Sequence, residues 1–320
     1  MKWLPYAVVA SLVLGVGCTT GQQVTLPPPG STAAQRMYLV TFDNASPGPN
    51  DGLLVYTPPF SSGSTPSISI VEGAPNNMNA PGEVLIDKNG DVVLLNDSTI
   101  PYVTVYAQPI STSSAPTAQF NVGTSSSDNF YGGGIDSSGT LWVSNRINPG
   151  QAIVTVTPPF TNSSTPTTVL TAANGLSNPV QIAFDNNGHM AVAEETSDDV
   201  LVYNTPVTSA STPLAKIALS GAGQGVAFDS TGRLFATSNY NSIDVFTAPF
   251  STGELPAFTI AVPNGGSDFI AFDSSGNLWT PQCSGTIETL EFSPPFSSTS
   301  TPSLAIPSTH DCLFGVAFGP

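Results

Sequence analysis

Five polar side chains stand at one fixed distance behind a glycine. Counting six places from Gly90, Gly139, Gly188, Gly232 and Gly276 reaches Asn96, Asn145, Glu194, Ser238 and Gln282. The next place along carries Asp97, Arg146, Glu195, Asn239 and Cys283. Carboxylate and carboxamide oxygens gathered at one point suit a hard cation, calcium or another divalent ion. The favoured reading of the same side chains is structural, in which each caps its own strand end or bonds a neighbouring unit. Glu194, Glu195 and His310 are the candidates for a general base, and the spacing singles out none of them. His189, which directly follows a turn glycine, is expected on the opposite face and in solvent. Neither a Gly-x-Ser-x-Gly elbow nor a His-x-x-x-His pair occurs, so catalysis is not the leading reading.

The glycines belong to a repeat: an apolar run, an Asp, two polar residues, a Gly and a second apolar run. Its copies are centred on Asp87, Asp136, Asp185, Asp229 and Asp273, which lie 49, 49, 44 and 44 residues apart. That period is the length of one four-stranded propeller blade. The Asp is placed to accept backbone N–H groups at the start of a type I turn, and the Gly takes the positive φ that returns the chain as a hairpin. The spaced acidic ligands of a calcium loop are missing from these turns.

A second element recurs six times, as Tyr56-Thr-Pro-Pro-Phe60, Tyr106-Ala-Gln-Pro-Ile110, Val156-Thr-Pro-Pro-Phe160, Tyr203-Asn-Thr-Pro-Val207, Phe246-Thr-Ala-Pro-Phe250 and Phe292-Ser-Pro-Pro-Phe296. Proline is confined to the edges and ends of sheets, which puts this element on the outer strands of each blade. Six outer copies against five inner ones leave one inner strand to be found. Phe314-Gly-Val-Ala-Phe318 matches Gly225-Val-Ala-Phe228 and stops where the Asp would stand. It is expected to supply the innermost strand of the first blade, beside the strand at Met37 to Phe42, closing the ring and removing an open edge.

Phe272-Asp-Ser-Ser-Gly-Asn-Leu-Trp279 and Gly134-Ile-Asp-Ser-Ser-Gly-Thr-Leu-Trp-Val-Ser-Asn145 resemble the NHL repeat and its relatives among the SMP-30/gluconolactonase-like propellers, over roughly residues 37–320. The resemblance implies an all-β fold of six four-stranded antiparallel blades, with the ligand face at the b–c and d–a loops. It further implies that the polar ring, with Asp43 as its member in the first blade, could hold a divalent metal that orients a lactone. Many unrelated functions share such folds. In the repeat register Cys283 follows strand b of the last blade and Cys312 precedes the closing strand of the first. Both therefore fall on one face at neighbouring blades, and a disulfide is expected, with two isolated thiols as the alternative.

Composition agrees with this layout. With 29 Gly, 30 Pro and 9% charged residues, the chain is made of short strands and many turns. Its formal charge of −16, with six scattered basic residues, excludes nucleic acid as a partner. Residues 1–17 read as a secretory signal peptide, with Lys2 ahead of an apolar stretch. Cys18 follows Gly15-Val16-Gly17, so lipidation of Cys18 and ordinary cleavage at the small residues are the two routes, lipidation being favoured. Residues 18–36 read as a flexible tether around Pro27-Pro28-Pro29 and residues 37–320 as the propeller. The expectation is an extracytoplasmic, monomeric binding or scaffold module in the bacterial envelope, touching the membrane only through Cys18. Its partner would be a protein, glycan or small molecule on the channel face, and a metal-dependent lactonase is the alternative.

Overall fold

The computed structural model describes residues 35–42, 52–147 and 150–320; the expectations for Cys18, the signal peptide and Asp43 lie outside the described residues. Twenty-four strands form six antiparallel four-stranded sheets. Blade 1 comprises β1 (Arg36–Thr41), β2 (Gly52–Tyr56), β3 (Ile68–Val71) and, from the other end of the sequence, β24 (Leu313–Gly319). Blade 2 runs β4 (Pro81–Ile86), β5 (Val92–Asn96), β6 (Tyr102–Tyr106) and β7 (Ala118–Asn121). Blade 3 runs β8 (Phe130–Ile135), β9 (Leu141–Asn145), β10 (Ala152–Val156) and β11 (Thr167–Thr171). Blade 4 runs β12 (Pro179–Phe184), β13 (His189–Glu194), β14 (Asp199–Asn204) and β15 (Ala215–Ala218). Blade 5 runs β16 (Val226–Phe228), β17 (Leu234–Ser238), β18 (Ser242–Phe246) and β19 (Phe258–Ala261). Blade 6 runs β20 (Ala271–Phe272), β21 (Leu278–Pro281), β22 (Glu288–Phe292) and β23 (Leu304–Pro307).

The ring closes as the repeat count requires. β24 pairs with β1 in the register Met37↔Phe318 and Leu39↔Val316, which makes it the innermost strand of blade 1. The disulfide Cys283–Cys312 ties the segment just before β24 to the loop after β21, across the junction of blades 6 and 1.

Each repeat Asp organises its hairpin with both oxygens. Asp136 Oδ1 accepts the N–H of Ser138 at 2.9 Å and of Thr140 at 3.0 Å, while Gly139 takes φ +87°. Asp136 Oδ2 accepts the indole N–H of Trp142 at 2.8 Å, and Asp273 receives Trp279 in the same way at 3.0 Å. The partner varies between blades: Asp229 holds the Arg233 guanidinium, and Asp185 holds His189 Nδ1 at 2.7 Å. His189 is thus fixed to its turn and packed edge-on against Phe250, not solvated as the sequence suggested.

The six proline-rich elements follow the third strands β2, β6, β10, β14, β18 and β22 and lead out to the edge strands β3, β7, β11, β15, β19 and β23. In five blades the turn that follows is pinned by a Ser hydroxyl accepting a backbone N–H three residues earlier, as Ser64 does from Ser61 at 2.8 Å. In blade 5 Glu254 does this work for Ser251. Apolar side chains fill the seams between blades, one cluster to each of the six. Near the axis the inner strands approach so closely that glycine is needed: a Cβ on Gly132 would lie 2.6 Å from the backbone of Val180.

Candidate functional site

The ring read from the glycine spacing stands at the ends of the b strands, and each described member is buried, at 4% exposure or less. Buried main-chain groups in folded loops need partners, and these side chains supply them to the d–a loop of their own blade. Asn96 Oδ1 accepts from Asn79 N and Asn145 Oδ1 from Asn129 N, both at 3.0 Å. Glu194 Oε2 accepts from Ser177 N at 2.7 Å and from Asn178 N. Ser238 Oγ accepts from Ser220 N at 3.0 Å, and Gln282 Nε2 donates to the carbonyls of Pro263 and Gly265 at 2.6 and 2.7 Å. Among the described members of this ring only Glu194 Oε1 and Gln282 Oε1 keep no hydrogen-bond partner, on blades 4 and 6 with blade 5 between them. Such a donor set does not converge, and it does not fit the oxygen cage of a divalent ion.

Glu194 faces Asp199 across the β13–β14 pair, and Lys216 Nζ lies 2.7 Å from Asp199 Oδ2. Burial first, then the Asp199 charge, pushes Glu194 up to about 7 against its two backbone donors and Lys216. This pair lies on the sheet face toward blade 3: Val192 and Leu201, two residues along each strand, pack into the seam between blades 3 and 4.

The next ring position is the one that reaches the mouth of the channel. Arg146 Nη1 lies 3.2 Å from Glu195 Oε2, Arg146 Nε donates to Asn129 Oδ1, and the guanidinium carbon stands 4.3 Å above the Tyr131 ring. Asn129 Nδ2 donates to Asp97 Oδ2 at 2.7 Å, which links blades 2, 3 and 4 across their tops. Glu195 Oε1 accepts from Gln224 Nε2 at 2.7 Å and from the Tyr240 hydroxyl at 3.2 Å. In blade 5 it is Tyr240, at φ +56°, that takes the place expected for Asn239. The remaining position is Cys283, within the disulfide.

Asp268, just ahead of blade 6, completes the cluster. Its residue is 6% exposed, and among the described residues no hydrogen bond reaches its carboxylate. Burial and the Glu195 charge push it up to about 7, with Arg146 pulling the other way. Burial likewise raises Asp97, opposed by Arg146 and Asn129. Thr237 fixes the backbone here: its hydroxyl accepts from Gln224 N and Gly225 N at 3.1 and 2.8 Å and donates to Asp268 O at 3.1 Å. Below this layer Tyr131, Phe269 and Phe314 meet with centroids 5.3–6.3 Å apart. Glu83 and Gln181 also meet at the axis, where Gln181 Nε2 donates to Glu83 Oε1 at 3.0 Å.

His310 lies on this side of the molecule, before Cys312. Its backbone N–H donates to Ser308 Oγ at 3.1 Å, and among the described residues its imidazole contacts neither Glu194 nor Glu195. Of the three candidate bases, then, Glu195 alone joins the mouth. The glycine spacing missed Gln224, Asp268, Glu83 and Gln181, which a different count would have found. They stand four or five places before the repeat Asp, where the other blades carry glycine or an apolar residue.

A scan against protein-family models and a search of curated proteins each return no match. Solved structures do match. One is a protein of unknown function from Bacteroides caccae, at TM-score 0.62 and 11% identity, covering 89% of this chain and 99% of that one. A streptogramin B lyase aligns at TM-score 0.58 and 15% identity, covering 90% and 96%. The periplasmic gluconolactonase of Pseudomonas aeruginosa aligns at TM-score 0.57 and 14% identity, covering 86% and 83%. At such identities the likeness is one of fold alone: this chain is an all-β propeller of six four-stranded antiparallel blades.

Proposed function

We propose that this chain is an exported, envelope-anchored binding propeller whose ligand seats at the channel mouth, among Asp97, Arg146, Glu195, Gln224, Tyr240 and Asp268. The observation that carries this reading is the Arg146 guanidinium, held over Tyr131 by Glu195 and Asn129 with the Asp97 and Asp268 carboxylates in electrostatic reach. Five blades contribute charged or hydrogen-bonding groups to this area, far more than the strand ends need for capping. Export and anchoring through Cys18 rest on the leader sequence, and the partner stays a protein, glycan or small molecule.

A lactonase-type hydrolase is the second reading, favoured by one feature. Asp268 is a mouth carboxyl that no hydrogen bond reaches among the described residues and that burial pushes to about 7, which suits a group that takes up and releases a proton near neutral pH. The Pseudomonas aeruginosa propeller of similar fold is a gluconolactonase.

Thermal shift with a panel of small polar compounds, on wild type and Glu195→Gln, tests the site. Stabilisation lost in the variant supports the mouth; equal stabilisation of both proteins places the ligand elsewhere. Hydrolysis of glucono-δ-lactone by wild type but not by Asp268→Asn would favour the enzyme over the binding module.

A further inference from the structure

The mouth is unbalanced in two respects, and both point the same way. Its charges are three carboxylates, Asp97, Glu195 and Asp268, against one guanidinium, Arg146. Its unmet hydrogen-bonding capacity consists of acceptors. Gln224 must turn its amide N–H toward Glu195, so its Oε1 faces the other way, buried and without a partner among the described residues. The Asp268 residue is 6% exposed, and among the described residues its carboxylate receives no hydrogen bond. Gly225 and Thr237 hold the two residues side by side: a Cβ on Gly225 would meet Asp268 O at 2.4 Å, and the Thr237 hydroxyl bonds both backbones. Buried acceptors without donors are costly, and the cost falls when a donor arrives.

The surroundings narrow the donor further. Arg146 already shows what the mouth accepts: a flat organic cation lying on the Tyr131 face and pairing with a carboxylate. Tyr131 is one side of the aromatic floor that Phe269 and Phe314 complete. Aromatic faces attract organic cations, whereas a small divalent ion is better served by an all-oxygen cage.

We infer that the ligand of the mouth is an organic cation carrying N–H donors, an ammonium or guanidinium group that enters beside Arg146 and donates to Asp268 and Gln224 Oε1. This rests on the mouth being the ligand site. Tyr240, which closes over Glu195, would contribute its ring and hydroxyl to the rim.

Calorimetric titration of the whole exported domain with agmatine, with 1,4-butanediol as its uncharged counterpart and with calcium chloride tests the inference. Agmatine is expected to bind, and butanediol is not. Asp268→Asn is expected to weaken agmatine by about tenfold or more, the scale of one hydrogen bond to a charged group. Gln224→Glu, which adds a carboxylate at the same place, is expected to tighten it, so a folding defect in one variant leaves the other to decide. Binding of butanediol or glucose but not agmatine would overturn the cation class and leave the mouth standing. Calcium binding that Asp268→Asn abolishes, with no effect of agmatine, would overturn it in favour of a metal. Agmatine binding unchanged in both variants would overturn the inference and the mouth together.

Discussion

Gln181 of blade 4 reaches Glu83 of blade 2 at the axis of the ring, its amide 3.0 Å from the carboxyl, while the N–H of Gly133 in blade 3 donates to the other Glu83 oxygen. Gln181 Oε1 in turn accepts from Val226 N of blade 5 at 2.9 Å. Four blades are thereby joined through Glu83, a residue 1% exposed, and the amide of Gln181. Burial outweighs these hydrogen bonds and pushes Glu83 up to about 8.

The sign of the resulting pH dependence follows from linkage. Glu83 starts from 4.5 and reaches about 8 in the fold, Glu194 goes from 4.5 to about 7, and Asp268 from 3.8 to about 7. Each folded carboxyl holds its proton more tightly than the unfolded chain does, so its stabilisation is complete at acid pH and is lost as pH rises to the folded value. The melting temperature is expected to fall between about pH 4.5 and 8. Glu83→Gln, an uncharged replacement, should flatten the upper part of that fall; a variant whose profile matches wild type over the same range would show that Glu83 stays ionised.

Reduction of Cys283–Cys312 is expected to lower stability by roughly 2–4 kcal/mol, since the bond closes a loop with a sequence separation of 29. Denaturant unfolding with and without reductant measures it. The Cys283→Ser, Cys312→Ser double variant should match the reduced protein and no longer respond to reductant.

Gly132→Ala should cost about 1–3 kcal/mol, because its methyl group would press on the Val180 backbone and part the inner strands of blades 3 and 4. Gly63→Ala, in an exposed turn where a Cβ would meet nothing closer than 4.0 Å, is the control and should change little. Chemical denaturation of the two variants makes the comparison.

Arg146→Ala removes the cation shared by the mouth. A loss of about 1–3 kcal/mol is expected, the scale of charged groups left without a partner. The loss should be greater at pH 8 than at pH 5, where Asp268 carries a proton. Arg146→Lys should recover part of it, as a lysine cannot lie flat on Tyr131 while bonding both Glu195 and Asn129. Urea unfolding at the two pH values gives all four numbers.

The architecture was legible because it repeats. Asp87, Asp136, Asp185, Asp229 and Asp273 each make the same turn, and Phe314 to Phe318 matched their lead-in well enough to locate the closing strand. The disulfide was legible for the same reason, since register alone placed Cys283 and Cys312 at adjoining blades. The mouth was harder. Polarity at the b-strand ends marked Asn96, Asn145, Glu194, Ser238 and Gln282, but loop backbones also demand polar partners, and that demand is what these residues meet. Arg146 and Glu195, one place further, were in view without any sign that they meet each other. Asp268 and Gln224 stood out only as departures from the apolar pattern before each repeat Asp. Their neighbourhood comes from four blades converging, which no local spacing contains.

Tyr131, Phe269 and Phe314, with the Glu83–Gln181 bridge across the axis, fill the centre of the ring beneath the Arg146–Glu195 layer, so a ligand seated there as proposed would have to leave on the face by which it came. The residence time of such a ligand would then depend on how the rim at Tyr240 and Arg146 yields, and the opposite side of the disc could be altered, tethered or covered without obstructing it.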